Sequence, residues 1–127
     1  MIIKRILVID KDAKSTEGLT RYLPYFFPDA TYDVSAWTVE QEAEQLLANP
    51  YDLYIVGATL EFLAERPVRR IREVKPDAPI AIYTRASPGS FDALSTACDI
   101  RVFQMTEGYM GMSGGNEGVR KIKEMYQ

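Results

Sequence analysis

Residues 51–60 read YDLYIVGATL, Tyr51 through Leu60, a short and almost wholly apolar run set between Pro50 and the polar loop that follows Gly57. A strand with no polar alternation must be covered on both faces, and that happens in parallel sheets flanked by helices. The run is therefore read as the central strand of an α/β domain. In an open parallel sheet, chemistry gathers in the crevice outside the carboxyl ends of the strands. Gly57 stands at that end and has no side chain with which to act.

Toward the N-terminus, Arg5 to Asp10 reads as a buried strand, with Ile6, Leu7, Val8 and Ile9 in unbroken succession. The spacing of Leu19, Tyr22 and Leu23 predicts a helix from about Ala13 to Leu23, with Asp12 as its N-cap and Pro24 and Pro28 ending it around Tyr25, Phe26 and Phe27. Thr31 to Ala36 alternates and suits a strand near the sheet edge. Thr38 and Gln41 form a capping box for a helix to about Ala48, with Ala43, Leu46 and Leu47 facing inward.

Toward the C-terminus, Ala58 to Arg66 is read as a loop, because Pro67 suits the first position of a helix and not its interior. The helix Pro67 to Val74 is expected to bury Val68, Ile71 and Val74, before a turn at Lys75, Pro76 and Asp77. A second continuous apolar strand, Ile80 to Thr84, ends in a hydroxyl. Ser90 is read as the cap of a helix holding Phe91, Leu94 and Ala97, and the fifth strand as Ile100 to Gln104. A glycine-rich stretch from Gly108 to Gly118 then precedes a short helix with Val119, Ile122, Met125 and Tyr126. Five strands alternating with helical segments predict a doubly wound, five-stranded parallel sheet in a three-layer α/β/α sandwich, the flavodoxin-like architecture.

The bulk properties exclude several functions. The 127 residues have the length of one ordinary domain, and 46% hydrophobic with 26% charged residues is a globular composition. Fifteen basic and 18 acidic side chains give a net charge of -3, so no basic stripe asks for nucleic acid. Arg66, Arg69, Arg70 and Arg72 are balanced by Glu61, Glu65 and Glu73, which reads as a solvated helix face. The absence of histidine removes a Ser-His-Asp triad, a Cys-His pair and a phosphohistidine, and the single cysteine, Cys98, removes an internal disulfide. The start, MIIKRILVID, resembles neither a secretory signal nor a membrane span. A cytoplasmic location is expected, with no membrane partner.

The opening RILVIDKD, the PYDLYIVG strand, the RRIRE segment and PIAIYT, taken in this order and spacing, resemble the receiver domains of two-component response regulators. The resemblance spans nearly the whole chain. It implies phosphoryl transfer onto an aspartate ending the third strand, beside an acidic pair that holds magnesium, a Ser or Thr ending the fourth strand and a Lys ending the fifth. A dianionic phosphoryl group among carboxylates needs a cation and an ammonium to offset repulsion.

Matched residue by residue, the acceptor position falls on Gly57 and the acidic pair on Asp10 and Lys11. Asp12 supplies a nearby carboxylate that also suits a helix cap. Thr84 matches the switch hydroxyl. The lysine position falls on Gln104 or Met105 and the companion aromatic position on Arg101 or Val102. The resemblance is therefore to a degenerate or pseudo-receiver: not an enzyme, without a metal or cofactor, acting by contact with a protein partner or with itself through its last helical face. No output domain is expected. In EGYMGMSGGNEG, Tyr109, Met110 and Met112 are candidate anchors for a partner or ligand if the loop orders on one. The alternative is a small-ligand or anion sensor using the cleft at the strand ends. Trp37, Cys98 and Met105 are read as packing residues.

Overall fold

The computed structural model describes residues 2–11, 13–37, 40–104 and 112–126. The strands are β1 (Arg5–Ile9), β2 (Thr31–Ser35), β3 (Leu53–Gly57), β4 (Ile80–Thr84) and β5 (Arg101–Gln104). The helices are α1 (Ala13–Phe26), α2 (Glu40–Leu47), α3 (Glu61–Val74), α4 (Asp92–Cys98) and α5 (Met112–Tyr126). The sheet order is β2-β1-β3-β4-β5 with every pair parallel. The doubly wound sandwich expected from the apolar run is thus the fold observed, with that run at its centre.

Alternate residues of the central strands enter opposite cores, because side chains leave a strand on alternating faces. Leu7, Ile9, Tyr54, Val56, Ile80 and Ile82 pack toward α2, α3 and α4. Ile6, Val8, Leu53, Ile55, Ala81 and Tyr83 pack toward α1 and α5, meeting Leu19, Leu23, Val119 and Ile122. β2 lies at the edge and is exposed along all but Ser35.

Several expected boundaries are corrected, and proline explains two of them. α1 continues through Pro24 to Phe26. Pro24 is exposed, and continuing the helix carries the buried face from Leu19 and Leu23 on to Phe27, whose N–H donates to the Leu23 carbonyl at 2.8 Å. α3 begins at Glu61, so the expected loop from Ala58 to Arg66 is mostly helix and Pro67 lies inside it. Ala64, Pro67, Val68 and Ile71 form one buried stripe at helical spacing, so the ring serves as a core side chain. That burial offsets the roughly 3 kcal/mol an interior proline costs a helix. Val74 is not buried but 42% exposed.

Ser90 does not cap α4. It lies in a 3-10 turn, Pro88–Phe91, and α4 follows with Phe91, Leu94 and Cys98 buried while Ala97 is exposed. α4 ends where Asp99 adopts a left-handed φ of 50°. α5 begins at Met112 and so takes in much of the glycine-rich stretch. Gly118 is required there by contact, since a β-carbon on it would stand 2.7 Å from Cε2 of Tyr83. Met125 is exposed. The expected capping residue Thr38 lies outside the described residues.

The arginine-rich face of α3 is only partly a solvated one. Arg69 pairs with Glu65 and Arg70 with Glu44 and Glu73. Arg72 instead donates to four carbonyls, those of Cys98 (2.9 Å), Pro76 (2.7 Å), Ala78 (2.8 Å) and Asp99 (3.2 Å). It ties the end of α3 to the end of α4 and to the turn before β4.

Candidate functional site

The parallel register aligns the strand ends. Ile9 stands beside both Ser35 and Val56, Gly57 beside Tyr83, and Thr84 beside Gln104. Above them opens a cleft of about 370 Å³. Its floor includes Asp10, Gly57 and Thr84, so the structure brings together three residues the sequence singled out, with Lys11 beside them.

Asp10 follows β1, and its N–H donates to the Ser35 carbonyl at 3.0 Å, continuing the strand pairing by one residue. This places its carboxylate over β3. A β-carbon built on Gly57 would stand 2.3 Å from Oδ2 and 2.8 Å from Cγ of Asp10. The buried Asp10 carboxylate therefore occupies the space that any side chain at position 57 needs. Thr84 is 1% exposed, and its Oγ1 accepts the Ala86 N–H at 3.0 Å, so the hydroxyl closes the turn leaving β4. Lys11 is exposed at the mouth of the cleft.

Trp37, Phe62, Leu63, Arg66 and Arg85 are among the further residues that shape the cleft and that sequence reasoning did not place there. Arg85 immediately follows the end of β4, and the rule that strand ends line the crevice would have found it, whereas Trp37 stands two residues beyond β2. Phe62, Leu63 and Arg66 enter only because α3 starts at Glu61, a start that Pro67 hides in the sequence. Trp37 is buried in a left-handed conformation, φ 56°, with its N–H donating to Ser35 Oγ at 3.0 Å. A bulky residue in that region is a genuine outlier and is held by its surroundings. The main chain of Tyr83 borders the cleft while its ring packs under α5, where burial pushes the phenol up to about 12 against an opposing effect of Arg85.

Asp12, Met105, Tyr109 and Met110 lie outside the described residues, as do the side chains of Gln104 and Met112. The Gln104 backbone pairs with Thr84, and Met112 is the first residue of α5. The magnesium that the resemblance associates with such a cleft does not fit the residues described. Among them, no three Asp, Glu, Cys or His side chains lie close enough to share an ion. Asp10 is followed by a lysine, and its carboxylate fills the place of the expected acceptor.

A doubly wound 2-1-3-4-5 sheet with a cleft at the carboxyl ends of β1, β3 and β4 defines the class. No family model matches the sequence, and no curated protein matches it. Solved structures do. The response regulator TrrA of Thermotoga maritima, in complex with magnesium and beryllium fluoride, is 26% identical with a TM-score of 0.68, over 97% of this chain and 99% of that one. A CheY-like receiver domain from Methanospirillum hungatei gives 15% and 0.69, over 98% and 94%. An orphan response regulator of H. pylori gives 19% and 0.64, over 98% and 97%. This chain shares the fold of response-regulator receiver domains over nearly its whole length. Among the described residues, no helix is long and apolar enough to cross a membrane.

Proposed function

We propose that this receiver domain signals without aspartyl phosphorylation, by contact with a protein partner or a second copy of itself, and catalyses no reaction of its own. The observation that carries the reading is the pairing of Gly57 with Asp10. The strand end where a receiver carries its nucleophile has no side chain, and a neighbouring carboxylate stands in its place. Lys11 adds a fixed cation where a second metal-binding carboxylate is usual. The contact surface is the outer face of α5, where Met125 is 53% exposed among Arg120, Lys121 and Glu124. The fold likeness supports a signalling role, and a fold alone does not fix which one.

Amide NMR spectra with and without magnesium and beryllofluoride test this. Resonances of Gly57, Thr84 and Arg85 are expected to stay in place. Saturable shifts at those residues overturn the reading. A second reading, in which the cleft senses a small molecule, is favoured by the apolar walls and the size of the cleft.

A further inference from the structure

We propose that the cleft above β1, β3 and β4 binds a small organic carboxylate with an apolar, preferably aromatic, body. This rests on the second reading above and names the ligand class. Three features of the cleft support it. The first is size: about 370 Å³ falls at the low end of the roughly 300–1,000 Å³ typical of small-molecule sites. The second is the wall. Ile9, Val56, Trp37, Leu63, Pro67 and Phe62 are apolar residues of its lining, and Phe62 stays 67% exposed. A site built only for phosphate has no use for that surface, whereas an aromatic or branched body gains by covering it.

The third feature is charge. Lys11, Arg66 and Arg85 line the same cleft, against the single carboxylate of Asp10 among its described lining residues. Lys11 and Arg66 come from different elements, the segment that follows β1 and the second turn of α3. A ligand whose body lies against Trp37 and Phe62 and whose carboxylate faces this rim meets both complementary surfaces at once. An amine of the same shape meets three cations instead.

Trp37 is the one tryptophan of the chain, so its fluorescence reports directly on the cleft. The full chain is titrated with phenylacetate, 2-phenylethylamine, acetate and inorganic phosphate. Phenylacetate is expected to give a saturable change, and the other three none. Arg66→Gln and Lys11→Gln each weaken phenylacetate binding about tenfold, and Phe62→Ser weakens it as well. These three positions are exposed, and circular dichroism checks that each variant keeps its fold. Arg21→Gln, on the exposed side of α1, leaves binding unchanged. No response to phenylacetate up to about 10 mM overturns the proposal, and if no probe responds the sensing reading falls with it. A response to 2-phenylethylamine equal to or stronger than that to phenylacetate overturns the ligand class and leaves a sensing cleft. Saturation by phosphate alone overturns the apolar body.

Discussion

Asp10 and Gly57 share one small volume, and their relation decides what position 57 can hold. Gly57→Ala puts a methyl group into the Asp10 carboxylate, and overpacking of this kind costs about 1–3 kcal/mol. In the Asp10→Ala background the obstacle is gone and most of that cost is expected to vanish. Urea unfolding of the four proteins in this double-mutant cycle should show a coupling of at least about 1 kcal/mol; additive effects would mean that the two residues do not compete for space. Gly57→Asp by itself is accordingly expected not to restore a phosphorylatable site, checked by incubation with acetyl phosphate and mass measurement. At this scale the sequence was highly legible: Asp10, Gly57 and Thr84 all reach the cleft. Trp37 was read as packing alone. A single apolar residue carries no sign in sequence that its backbone turns left-handed and that it borders a cavity.

α3 is the element whose position matters most to the cleft, and Arg72 anchors its C-terminal end. Its guanidinium serves four carbonyls that belong to the α3–β4 turn and to the end of α4. Bonds from a charged donor contribute roughly 1.5–3 kcal/mol each and are not additive, so Arg72→Met is expected to lower stability by at least about 2 kcal/mol in urea unfolding. A loss under about 0.5 kcal/mol would show that water replaces the guanidinium without penalty. Within the sequence Arg72 was indistinguishable from its neighbours Arg69 and Arg70, because the carbonyls it meets at Cys98 and Asp99 arrive from another helix. The start of α3 was hidden for a different reason. Local preference puts proline at the first turn of a helix, and tertiary burial of Pro67 outweighs that preference.

For the molecule as a whole, the buried tyrosines set the response to alkali. Tyr51, Tyr54 and Tyr83 are each held near pKa 12, with burial the largest cause; at Tyr51 the hydrogen bond to Asp33 adds to it. In the unfolded chain they lose their protons near pH 10. The folded state therefore binds more protons between these values, and stability falls as pH rises through them. The urea midpoint is expected to hold below about pH 10 and to drop steadily toward pH 12. Tyr83→Phe should make that decline shallower. At neutral pH the same variant should be as stable or more stable, by about 1 kcal/mol, since the Tyr83 hydroxyl is buried with no hydrogen-bond partner among the described residues. A steeper alkaline decline in the variant would contradict the assignment.

What the sequence determined by itself is the order and kind of the elements, the central place of residues 53–57, and the meeting of Asp10, Gly57 and Thr84 at the strand ends. Unbroken apolar runs allow no other partner than helices on both faces, and strand ends in a parallel sheet converge by construction. Tertiary structure alone decided that the Asp10 carboxylate stands where a side chain on Gly57 would, that Pro67 works inside a helix, and that Trp37, Phe62 and Arg66 wall a cavity. Each of these depends on atoms brought together from distant parts of the chain, where packing distances of a few ångströms override what any single stretch prefers.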